Sequence, residues 1–129
     1  MKNLPDPQVV AGGELTPDEW LRFQDEILKR IHRTNNTIAG IMLYTARKDW
    51  DNACWELSTG HELLIDAEHA QGGLATISTY LLQIIQDMPE VDNNPNQIFE
   101  RSGLRTLRDY VEITYHNLEA AIGRLQKFS

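Results

Sequence analysis

Between Asn52 and Met88 the apolar residues Leu63, Ala67, Ala70, Leu74, Ile77, Leu81, Ile84 and Met88 return at alternating steps of four and three. That spacing is the seam of a long helix packed lengthwise against others. At ~1.5 Å per residue such a helix would be roughly 55 Å long, so the other segments must lie along it. A second series, Trp20, Phe23, Ile27, Ile31, Thr34, Ile38, Ile41 and Thr45, predicts a helix ending near Lys48. A third, Leu104, Leu107, Val111, Thr114, Leu118, Ala121, Leu125 and Phe128, predicts the last one. Three seams of similar length predict an all-α, antiparallel bundle of three long helices.

Punctuation along the chain supports this order. Thr16, Pro17 and Glu19 form a T-x-x-E capping box with proline at the first helical position, and Leu15 with Trp20 is a candidate hydrophobic staple. Asp49-Trp50-Asp51-Asn52 is the expected turn into the second helix, with Asp51 or Asn52 as its cap. About that turn residue i faces roughly residue 100 − i. Gly40 then lies opposite Gly60, and Lys29, Arg30 and Arg33 lie opposite Glu62, Asp66 and Glu68. Gly72-Gly73 interrupts the second helix, and a break there would make four helices. The unbroken apolar phase from Ala70 to Leu74 predicts continuity. Residues 89–96, rich in Pro, Asp and Asn, read as the long internal loop, with Asn94 or Asn96 as the next cap. Gly103 marks a place where a short turn, Gln97–Ser102, would separate from the last helix.

Residues 1–15 read as a flexible arm before a single helical-bundle domain at 16–129. Pro5, Pro7, Gly12 and Gly13 interrupt a helix, and the prolines favour extended backbone. A strap using Leu4, Val9 and Val10 is the alternative.

Composition narrows the function classes. At 129 residues and 41% hydrophobic content the chain has enough for one core. Nineteen acidic against 12 basic residues give a net charge of −7, which disfavours nucleic acid and anionic membranes and suits a partner with a basic surface. Cys54 is the only cysteine, so no internal disulfide forms, as in a reducing compartment. No secretory signal and no run of ~18 apolar residues is found, and the expected location is cytoplasmic.

Candidate chemistry is sparse. Glu62, Asp66 and His69 share one helix face, as do Asp109, Glu112 and His116. Carboxylate and imidazole on facing helices build di-metal sites, so these six are the metal alternative, although the usual Glu-x-x-His pair is absent. His69 followed by Gly73 resembles the His-x-x-Lys-Gly core of histidine-phosphotransfer domains, with Gly72 where the lysine would stand. That resemblance implies a phosphotransfer alternative centred on His69. Cys54, in the first turn of the second helix, reads as a packing residue. No G-x-S-x-G, P-loop or cysteine-pair zinc motif is present.

The expected activity is therefore non-enzymatic and cofactor-free, by protein–protein interaction. An adaptor, inhibitor, immunity protein or export chaperone would fit. Long helices joined by an Asp-Trp turn in a small acidic bundle resemble flagellar export chaperones in architecture. The candidate contact residues are Lys29, Arg30, Arg33, Asn35, Asn36, Trp50 and Trp55, together with the 89–96 loop. The run Thr34-Asn35-Asn36-Thr37 either fixes register or lines a partner groove. A homodimer, or an assembly component whose function is its oligomer, is the remaining alternative.

Overall fold

The computed structural model describes residues 4–51, 57–88 and 95–127, and in these it contains four helices and no strand. They are α1 (Pro7–Ala11), α2 (Pro17–Asp51), α3 (Leu57–Asp87) and α4 (Pro95–Gln126). The three long helices run up, down and up, so α2 and α4 are parallel with α3 antiparallel to both. This is the expected all-α bundle. Its fourth helix comes from the N-terminal segment, since α3 passes through Gly72-Gly73 without a break.

The capping box starts α2 as expected. The Glu19 amide donates to Thr16 Oγ1 at 3.2 Å, and the Thr16 amide donates to Glu19 Oε1 at 3.0 Å. Those hydrogen bonds, the backbone one first, hold the Glu19 carboxyl below its ordinary pKa. The apolar series then supplies the core: Trp20, Phe23, Ile27, Ile31, Thr34, Ile41 and Thr45 are buried, and Ile38 packs against them partly exposed. From α3, Ala67, Leu74, Ile77, Leu81 and Ile84 are buried, with Met88 just past its end, and from α4 Leu104, Leu107, Val111, Thr114, Leu118, Ala121 and Leu125. Phe128 lies outside the described residues. The buried threonines satisfy their hydroxyls within their own helices: Thr34 Oγ1 donates to the Arg30 carbonyl at 2.9 Å and Thr114 Oγ1 to that of Tyr110 at 2.8 Å.

Three expectations about boundaries are corrected. Helix α2 continues past Lys48 to Asp51, so Asp49 to Asp51 are helical, and the expected cap Asn52 lies outside the described residues. Helix α4 is one helix through Gly103, with no separate turn at 97–102. Gly103 serves close approach instead: a Cβ there would stand 3.5 Å from Gln24 Nε2 and 3.8 Å from the Trp20 ring. The helix begins at Pro95, so Asn96 lies inside it rather than capping it.

The α2/α3 register is also corrected. Gly40 faces the end of the Leu63 side chain, and Gly60 faces the Tyr44 ring and hydroxyl. The facing numbers thus sum to 103–104 rather than 100, a slip of about one helical turn. The two glycines do not oppose each other.

The segment 4–15 is docked rather than extended. Asp6 caps α1, its Oδ1 accepting from the Gln8 amide at 2.8 Å, and Pro7 takes the first helical position. Gly13, at φ 71°, ends it. The Gly13 amide donates to Val10 and the Glu14 amide to Val9, both at 3.1 Å, the paired bonds of a Schellman turn. The residues read as helix interrupters are the start and stop of a short helix. Val10 and Ala11 are buried, α1 packs on α3, and Tyr80 Oη donates to the Pro5 carbonyl at 2.6 Å.

Candidate functional site

Where α2 crosses α3 the bundle leaves a groove of about 210 Å³. Its floor is Ala70, Leu74 and Ile77, and its rim on α2 is Arg30, Arg33, Thr34 and Thr37. Gly73 makes the opening: nothing stands within 4 Å of where its Cβ would be, so the α3 wall is missing one side chain. Thr37 Oγ1 donates to the Arg33 carbonyl at 3.2 Å, so the rim hydroxyls are turned into their own helix. The observed register carries Arg30 and Arg33 alongside Ala70 and Gly73. Glu62 and Asp66, the expected opposite charges, lie about one or two turns further along. Within the run 34–37, the hydroxyls of Thr34 and Thr37 donate to carbonyls of their own helix. Two of its members line a groove.

The other candidate contact residues divide. Lys29 is at the surface and pairs with Asp25 at 3.3 Å, an exposed i,i+4 bridge worth ~0–1 kcal/mol. Asn35 and Asn36 are exposed. The Trp50 side chain, Trp55, Cys54 and the 89–94 connection lie outside the described residues.

The histidine stripes do not converge. His32, His61, His69 and His116 are all exposed. Glu112 accepts from Ser78 Oγ at 2.5 Å and lies 3.7 Å from Arg108, while His116 lies 3.7 Å from Glu119. Glu62, Asp66 and His69 point out from the opposite flank of α3. Among the described residues no group of three or more His, Cys, Asp or Glu is placed to hold a metal ion, which removes the set Glu62, Asp66, His69, Asp109, Glu112 and His116 as one site. Each stripe is regular on its own helix, but the bundle turns the two in different directions.

The chain matches no known family, no curated protein and no solved structure. Its function is read from its own surfaces alone. None of the described helices is long and apolar enough to cross a membrane.

Besides the groove, seven large apolar side chains are exposed among the described residues: Leu21, Leu28, Met42 and Leu43 on α2, Ile65 on α3, and Tyr110 and Ile113 on α4. In the sequence these residues stand off the core seam of each helix, and because that seam accounts for the helix by itself, periodicity does not point to them. A second cavity, about 560 Å³, lies between Leu4-Pro5 and α2, with Glu19, Arg22, Asp25, Glu26 and Lys29 at its mouth. Charges of both signs line it, and its walls are the docked N-terminal segment.

Proposed function

We propose that this protein is a non-enzymatic helical bundle that acts by binding another protein, and that the α2/α3 groove receives part of that partner. One observation carries the reading: an apolar floor of Ala70, Leu74 and Ile77 left open at Gly73, with Arg30 and Arg33 among the residues that line it. The volume suits one aliphatic side chain. The rim suits a carboxylate beside it, because arginine recognises carboxylates through its planar fork. The overall charge of −7 acts beyond contact range and is screened over ~8 Å at physiological salt, so the local cations set the chemistry of the contact. The partner segment is therefore locally acidic, whatever its overall charge.

The test fills the groove. Gly73→Leu places a side chain in open space, and Arg33→Glu reverses the rim. Gly72→Leu, one residue away and exposed, is the control. A photo-activated cross-linker at Thr37 should capture a protein from cells with wild type and Gly72→Leu, and lose it at least tenfold with the other two. Equal capture by all four would sink the reading.

A further inference from the structure

The groove is the open half of a longer furrow between α2 and α3. Phe23 and Tyr80 face each other across that furrow, their ring centroids 6.1 Å apart. About two turns further along α2 stands Arg30, and about two turns back along α3 stands Gly73, and both line the groove. At the level of Phe23 and Tyr80 the furrow is covered by the N-terminal segment. Leu4 and Leu15 pack against the core, Val10 and Ala11 are buried, and the Pro5 carbonyl accepts from Tyr80 Oη at 2.6 Å. The cavity of about 560 Å³ between Leu4-Pro5 and α2 runs from Leu15 and Glu19 to Lys29, the level at which the groove begins with Arg30.

This covering is lightly held. Among the described helices α1 packs on α3 alone, and its five residues are too few to be helical in isolation. Leu4 and Pro5 stand off α2 across the cavity. Gly12 and Gly13, the latter at φ 71°, join the segment to the chain that leads into α2. The segment also has the chemistry proposed for the partner. From Leu4 to Ala11 it carries one acid, Asp6, no basic residue, and the aliphatic side chains Leu4, Val9 and Val10. We propose that residues 4–11 are an exchangeable strap, an internal stand-in for the partner segment, and that a partner entering at Gly73 continues along the furrow and displaces it. This inference rests on the groove reading above and adds how that site is regulated.

Opening the strap gives up the burial of Val10 and Ala11 and the bond from Tyr80, which is little beside the core held by the three long helices. Segments with so few buried contacts open locally while the rest of a protein stays folded. The open state presents the paired rings of Phe23 and Tyr80. A partner that needs this state binds more weakly in proportion to its scarcity, and loosening the strap restores the difference.

The first measurement is hydrogen exchange of the full chain. The amides of Val9, Val10, Gly12 and Gly13 are hydrogen-bonded when the strap is seated. Their protection should be measurable, yet at least tenfold below that of Ile27, Leu81 and Leu118 in the core. Equal protection, or none in the strap, overturns the proposal. Tyr80→Phe, which removes the bond to Pro5, should speed strap exchange about fivefold, and an unchanged rate overturns it too. The second measurement uses a synthetic peptide of residues 4–13 as the probe. Val10→Asp in the chain unseats the strap, because an unpaired buried carboxylate is costly, and circular dichroism checks that the long helices remain. The peptide should bind the Val10→Asp chain at least tenfold more tightly than the wild type. A peptide carrying the same change should not bind. Equal binding to both chains, or to neither, overturns the proposal. The cross-linker at Thr37 separates this inference from the groove reading. Its capture should rise at least threefold in the Val10→Asp chain. Unchanged capture overturns displacement by the partner and leaves the groove reading standing. Capture by no chain overturns the groove reading and displacement together, while exchange and peptide binding still decide the strap.

Discussion

Tyr80 shows how a single side chain ties distant parts of this chain together. It lies beside the α3 seam rather than in it, yet it is buried, its ring centroid lies 6.1 Å from that of Phe23 with the planes tilted by 53°, and it donates to the Pro5 carbonyl. Burial first, and the negative charge of Asp6 second, push its pKa up to about 12. A raised pKa means that the folded state holds the phenol proton more tightly than the unfolded chain does. The corresponding stability is complete below the ordinary value of 10 and is lost as pH rises from there through about 12. Tyr80→Phe removes one hydrogen bond and should lower stability by ~1 kcal/mol at neutral pH. It should also abolish the tyrosinate transition near pH 12, followed by absorbance at 295 nm, that accompanies release of the N-terminal segment. An unchanged high-pH titration in the variant would mean that another tyrosine carries it. The capping pair Thr16 and Glu19 was legible in the sequence because its partners are three residues apart. Tyr80 was not, because its acceptor is 75 residues away.

At the scale of elements, periodicity predicted every long helix and most of their buried faces. It missed Tyr44, Tyr80 and Ile122, each one position from a seam residue, because the covering helices widen the buried stripe beyond a strict three-four line. It also read residues 1–15 as an arm. Asp6, Pro7 and Gly13 were the signals of a helix there, but five residues are too few to show a period, and an isolated helix that short is not stable in water. Docking on α3 makes it. Gly72 illustrates the reverse case, a residue unfavourable to its element and retained within it. It is exposed, and a Cβ there meets nothing within 4 Å. Gly72→Ala should raise stability by ~1 kcal/mol, read from the urea midpoint, since helix propensity is the only term that changes. No gain would indicate that α3 uses the flexibility of that position.

For the whole molecule, α1 closes one end of the layer that α3 presents, and the core includes Val10 and Ala11 from it. Removing residues 1–12 should leave the three long helices in place but lower stability by ~3 kcal/mol, from the lost burial of those side chains and of the α3 surface beneath them. The check is a urea titration followed by circular dichroism. Equal midpoints for the two chains would show α1 to be an ornament on the bundle. The sequence by itself determined which long segments are helical, which face of each is apolar, and where α2 begins, because helical period and capping are local and act within a few residues. Only the tertiary structure decided the register of α2 on α3, the docking of α1, the divergence of the histidine stripes and the groove at Gly73. The physical reason is degeneracy. Sliding one helix by a turn leaves the same apolar faces in contact, so the pattern hardly distinguishes the two registers. The packing of particular side chains, Tyr44 on Gly60 and Leu63 against Gly40, does.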